Sequence, residues 1–151
     1  MRTLHQADPE FKYSELSSVA RQGVIDLLKK RLSEDLGIVL AYVHGGFLDG
    51  GPFRDMDLAL WLKDEKDAWS YMIDLSAELE VEIGAPVDIQ VLNKAPLPFM
   101  HEVLTRGRIL ISNDEGFRTR LLDVTIRQYM DLIQTNRLSS RGRVELQTLR
   151  S

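Results

Sequence analysis

Apolar positions along the chain fall into two kinds of block, short β-branched runs and longer stretches with helical spacing, and glycines separate them. Residues 1–13 carry no period, and Pro9 breaks any early helix. Ser14 is placed to cap a helix that runs to about Leu36 and closes at Gly37. "GIVLAYVHG" predicts a first strand over 38–44, and "DMDLALWLK" a second over 55–63. Asp64 starts a helix through about Ile83, in which Trp69, Met72, Ile73, Leu79 and Ile83 share one face as the candidate core side. Gly84 and Pro86 end it, and "VDIQVLN" predicts a third strand over 87–92. "LPFMHEVLTRG" reads as a short helix stopped by Gly107, and "RILIS" as a fourth strand. Asp114 caps a long helix over roughly 115–136. The closing "RLSSRGRVELQTLR" is polar and basic, and reads as a loose tail or a short partner-dependent helix.

The resulting order is α-β-β-α-β-α-β-α. The loop between the first two strands, about ten residues, is too short for a helical crossover, which predicts an antiparallel or splayed pair. The expected architecture is α/β (α+β), a mixed sheet of about four strands with helices packed mainly on one face. One domain over 1–137 and a C-terminal tail over 138–151 account for the chain.

Charge and composition narrow the function. A net charge of −4 argues against a dedicated nucleic-acid binder, which needs excess Lys and Arg to neutralise phosphate. The absence of Cys removes disulfides and thiolate chemistry. No apolar run reaches membrane-spanning length, and "MRTLHQADPEFKYSE" has no signal-peptide core, so the cytoplasm is the expected location.

The candidate chemistry lies in "VHGGFLDGGPFRDMDLALWL". Asp55 and Asp57, two apart on a strand, share a face, while Met56, Leu58, Leu60 and Leu62 point to the other. Two carboxylates that close repel unless a cation sits between them. Asp88 near the start of the third strand joins them if that strand neighbours the second. Three converging aspartates suit Mg²⁺ or Mn²⁺, completed by water and phosphate. Gly45 and Gly46, just after the first strand, can expose backbone N–H groups to phosphate at a distance no Cβ would allow. His44 borders this turn as a structural hydrogen-bonder or a catalytic group. His5 and His101 have no companion at ligand spacing, which argues against a zinc site. Trp61 and Trp69 read as core.

The last predicted helix carries two apolar stripes. Phe117, Leu121, Val124 and Leu132 form one, and Leu122, Ile126, Tyr129, Met130 and Ile133 the other. A surface helix needs only one, so the second implies either a partner interface or a helix wedged deep in its own core.

"YVHGGFLDGGPFRDMDLALWL" resembles the signature of the polymerase-beta-like nucleotidyltransferase superfamily, and within it the MNT-type minimal nucleotidyltransferases. The likeness extends over roughly residues 15–136, through "VDIQVLNKAPLPFMHEVLTRGRIL" and "FRTRLLDVTIRQYMDLI". It implies the nucleotidyltransferase fold, binding of Mg²⁺ (or Mn²⁺) and an NTP, ATP first among them, and transfer of a nucleoside monophosphate to a hydroxyl. Carried over, Gly45 and Gly46 form the phosphate turn, Asp55 and Asp57 are metal ligands, and Asp88 is the third carboxylate and base. The implied partner is a helical HEPN-type toxin, and the second apolar stripe of the last helix would equally suit a second copy of the chain. The chain departs from the pattern at Gly46, where the family has Ser, and at Leu48-Asp49-Gly50, where the family has Ala-Arg-Gly. Arg54 is the candidate replacement for the lost cation. Three functions follow: NMP transfer to a partner protein as an antitoxin, neutralisation of a partner by occlusion with weak or no catalysis, and transfer to a small molecule such as an antibiotic.

Overall fold

The computed structural model describes residues 18–50 and 55–150. The irregular stretch over 1–13, the cap at Ser14 and the cation at Arg54 lie outside the described residues. Helix α1 spans Ser18–Ser33, and strand β1 Ile38–His44. A 3₁₀ turn, Gly45–Asp49, leads toward β2, Met56–Leu62. A short 3₁₀ turn and a π-helical segment, Ser70–Leu75, run into α2, Ser76–Ile83. Then come β3 Val87–Val91, α3 Leu97–Arg106, β4 Arg108–Ser112 and α4 Glu115–Arg150.

The four strands form one mixed sheet in the order β3-β2-β1-β4. β1 is antiparallel to β2 and to β4, as the short connection requires, while β2 and β3 are parallel. The β2–β3 register pairs Met56 with Val87, Leu58 with Ile89 and Leu60 with Val91 on one face. The other face of the same ladder pairs Asp57 with Asp88 and Ala59 with Gln90.

Helices cover both faces, which corrects the expectation that they pack mainly on one. The first core joins Ile25, Leu28 and Leu32 of α1 and Leu79 of α2 to Met56, Leu58, Leu60 and Val87 of the sheet. The second joins Met100, Val103 and Leu104 of α3 to Leu40, Tyr42 and Ala59, with Phe117 and Leu121 of α4 packed against it. The reason lies in the central strands. "IVLAYV" and "LALWL" are apolar at successive positions, so both faces of β1 and β2 must be removed from water.

Trp69 is a second correction. It is 73% exposed, and Met72 and Ile73 beside it are exposed as well. The inward residues are instead Leu75 and Leu79, with Tyr71 and Ile83 partly buried. Steps of four keep Tyr71, Leu75, Leu79 and Ile83 in line where the backbone takes the wider π turn, and the 3.6-residue period used to place Trp69 no longer holds there. Trp61 is half-buried against Phe117, with ring centroids 5.0 Å apart.

α4 begins with Asp114 accepting from the Phe117 N–H at 2.9 Å. It continues to Arg150, so the stretch from 138 onward, read as a tail, is helical and continuous with α4. Arg, Leu, Glu and Gln dominate that stretch and favour helix, against a cost of about 1 kcal/mol for Gly142. Among its described side chains only Thr125 is buried, so α4 lies on the second core rather than inside it.

Asn93 closes the sheet below β2. Its Nδ2 donates to the Leu62 carbonyl at 2.8 Å, and its Oδ1 accepts from the Leu62 N–H at 2.9 Å. Asn93→Ala leaves both backbone groups of a buried residue unpaired and is expected to cost about 1–3 kcal/mol. Urea denaturation checks this, with a lower midpoint at an unchanged slope as the expected result.

Candidate active site

Three polar residues stand side by side across the middle of the sheet. His44 ends β1 and pairs with Asp57 on β2, which pairs in turn with Asp88 on β3. All three lie on the face that carries α3 and α4. Adjacent strands are about 4.8 Å apart, so the Asp57 and Asp88 carboxylates cannot escape one another's field. Asp55, immediately before β2, adds a third negative charge.

Burial pushes the Asp57 carboxyl up to about 6, and the charges of Asp88 and Asp55 push the same way. Asp88 is exposed, and one of its oxygens accepts from Gln90 Nε2 at 3.0 Å. Gln90, two residues on and on the same face, therefore orients the third carboxylate. Its alternation with Asp88 was visible in the sequence, but an amide carries no chemistry that would single it out.

The glycine turn meets this cluster directly. Gly45 has φ +74°, a left-handed conformation that side chains rarely adopt. A Cβ there would stand 2.5 Å from Asp57 Oδ2. Gly45 thus makes room for the carboxylate itself, in addition to any room it leaves for phosphate. Gly46 and Asp49 are exposed along the same 3₁₀ turn. Phe47 is the turn's anchor, buried in the first core.

Arg21 of α1 reaches the turn from below. Its Nη1 donates to the Phe47 carbonyl at 2.6 Å, and its guanidinium lies 5.1 Å from the Phe47 ring centroid. A cation therefore does stand at the glycine turn. It comes from a helix 26 residues earlier, where no local pattern marks it.

The donor chemistry of Asp55, Asp57 and Asp88 fits a hard divalent cation with oxygen ligands. Among the described residues, no three carboxylate or imidazole side chains are already drawn around one point. Of the interface residues read on α4, Leu122 packs against the second core and the Tyr129 ring stacks on His101 at 3.8 Å. Ile133 is half-buried, while Ile126 and Met130 are exposed.

The raised Asp57 carboxyl has a consequence for stability. A group whose folded pKa lies above its unfolded value favours the fold at low pH and loses that contribution as pH rises through the folded value. On Asp57 alone, stability falls between about pH 4 and pH 6. Asp57→Asn is expected to stabilise the fold at pH 7.5 by about 1 kcal/mol once the solvent still reaching the carboxylate is allowed for, and so to raise the melting temperature. The gain should vanish toward pH 4, which paired melts at the two pH values will show.

A model of the family described as polymerase beta, nucleotidyltransferase matches residues 26–116, a span that contains all four strands and the three aspartates. No curated protein matches the sequence. A chain in the structure of tri-AMPylated Shewanella oneidensis HEPN toxin in complex with MNT antitoxin is similar at a TM-score of 0.64 and 22% identity, over 82% of this chain and 98% of that one. A chain in a crystal structure of a toxin-antitoxin with AMP-PNP is similar at 0.62 and 24% identity, over 82% and 97%. A chain of the toxin-antitoxin MntA-HepT is similar at 0.59 and 22% identity, over 85% and 98%. These likenesses establish a common fold over nearly the whole of each relative. With the family's model spanning both aspartate strands and the glycine turn, the chain belongs to the polymerase beta nucleotidyltransferase family.

Proposed function

We propose that the chain is a Mg²⁺- or Mn²⁺-dependent nucleotidyltransferase that moves AMP from ATP to a hydroxyl of a HEPN-type toxin and so acts as its antitoxin. The observation that carries this reading is the parallel register that sets Asp57 against Asp88 beside Gly45. The similar folds found with AMP-PNP and with a tri-AMPylated HEPN toxin support the choice of nucleotide and partner.

Asp55, Asp57 and Asp88 would hold the cation, which supplies charge to polarise the α-phosphoryl group. The Gly45–Asp49 turn, held by Arg21 through Phe47, would receive the phosphates on its backbone N–H groups. Asp88, kept in orientation by Gln90, takes the proton of the acceptor hydroxyl. The hydroxyl oxygen bonds to the α-phosphorus as the bond to pyrophosphate breaks, so AMP passes to the acceptor and pyrophosphate leaves. Arg54 remains, in addition to Arg21, the candidate cation of the loop.

One observation favours the second reading, neutralisation by occlusion. Asp49 places an exposed negative charge on the turn that would receive triphosphate. The two readings part on one experiment: labelled ATP, Mg²⁺ and the toxin, with parent chain and Asp88→Asn. Under the transfer reading Asp88→Asn lowers the rate by roughly 10²–10⁴-fold and leaves the toxin unmodified and active. Under occlusion the variant neutralises the toxin as well as the parent does, and label never appears on it.

We place the toxin contact on the outward strip of α4 around Ile126 and Met130, which are 39% and 61% exposed. Tyr129 is partly engaged by His101 and contributes less than an unoccupied aromatic would. Met130→Asp is expected to weaken the complex by at least tenfold while the melting temperature stays within a degree or two of the parent, because a charge is tolerated at an exposed site but not in a desolvated interface. Light scattering of the mixed proteins and a melt of the variant alone check both halves.

A further inference from the structure

His44 is a polar side chain closing an apolar strand, and the proposed transfer leaves it without a task. Its ring stands edge-on to Phe99, with centroids 5.5 Å apart and planes at 80°. Its Nε2 is buried and makes no hydrogen bond. Native proteins rarely leave a buried polar atom unpaired, because the lost hydration is not recovered. Phe, Leu or Val at this position would avoid that loss and would continue the strand's own pattern. The unpaired nitrogen marks His44 as a donor or acceptor in search of a partner.

The register names the partner. His44 and Asp57 are directly opposite on antiparallel strands and share a face, which brings their Cβ atoms to about 4.5–5.5 Å. The Asp57 carboxylate lies against Gly45, the residue after His44, and so on the β1 side of its strand. With one oxygen on the β1 side, the other is free to face Asp88 and a cation shared with it. Burial favours the uncharged imidazole, against the pull of Asp88 and Glu102. A neutral ring offers one N–H donor and no positive charge to compete with a cation.

We propose that His44 is a positioning residue for Asp57: when the carboxylates close on a divalent cation, Nε2–H donates to one Asp57 oxygen and holds the other toward Asp88. Carboxylate ligands are commonly fixed in this way by a second hydrogen bond, and its loss weakens metal binding. The inference rests on the proposed cation-dependent site, and it concerns ligand orientation rather than the transfer step.

The test compares the full chain with His44→Phe and His44→Gln, by melting without metal, by Mn²⁺ binding from the electron paramagnetic resonance of free Mn²⁺, and by AMP transfer. His44→Phe is expected to melt a few degrees above the parent without metal, since the unpaired nitrogen is gone. Its Mn²⁺ affinity should fall roughly 10–100-fold. His44→Gln, whose amide reaches about where Nε2 stands, should recover most of that affinity. A His44→Phe protein that binds Mn²⁺ as the parent does overturns the proposal. So does one that melts below the parent, because Nε2 would then be satisfied already, and so does a parent chain that binds no Mn²⁺. His44-dependent Mn²⁺ binding without any transfer by the parent would remove the proposed function and leave this inference standing.

Discussion

The structure depends on the register of β2 against β3. On one face the ladder runs Met56–Val87, Leu58–Ile89, Leu60–Val91, and all six side chains enter the first core or pack against it. On the other face the same register sets Asp57 against Asp88. A slip of one residue would turn one strand over against the other and drive one of the two carboxylates into the apolar layer beneath α1 and α2. The cost of desolvating that charge far exceeds the repulsion that the native register accepts. The apolar ladder therefore holds the acidic pair together: what stabilises the core also imposes the repulsion at the site.

Several local features accommodate that imposed charge. Gly45 leaves space where any side chain would press on Asp57. Gln90 turns a donor toward Asp88. Arg21 fixes the turn from outside the sheet, so that the loop nearest the carboxylates is pinned by its carbonyl and its aromatic ring together. None of these neutralises the pair, and the raised Asp57 carboxyl reflects what is left over. The repulsion arises only when the parallel β2–β3 pair is assembled across its helical crossover, so it belongs to the folded state and not to the chain before folding.

Much of this arrangement was legible in the sequence, and for definite reasons. The strand at 38–44 has glycine on both sides and apolar residues within, so its limits could be read directly. The short second connection dictated an antiparallel pair, and the alternation of Asp57 with Met56 and Leu58 dictated their opposite faces. What escaped were effects with no local period. Trp69 faces outward because a π segment shifts the phase of its helix, and nothing in "SYMIDL" announces that. Arg21 acts at the turn only because α1 lies across the sheet. The second helical layer was implicit in strands apolar at every position, but amphipathic reading looks for one buried face and overlooks the other. The helical stretch beyond 136 was discounted for its polarity, although polarity opposes burial and not helix formation.

The two tryptophans sit on opposite sides of the sheet, one in each helical layer. Trp61 is half-buried against Phe117 at the start of α4, while Trp69 stands almost free in solvent beside α2. Indole emission moves to longer wavelength as water reaches the ring, so the two should contribute separable blue and red components to the fluorescence of the folded chain. The blue component follows the docking of α4 on the sheet, and the red one follows whatever approaches the opposite layer. The chain thus carries its own pair of optical reporters, by which events on its two faces can be timed independently and without a label.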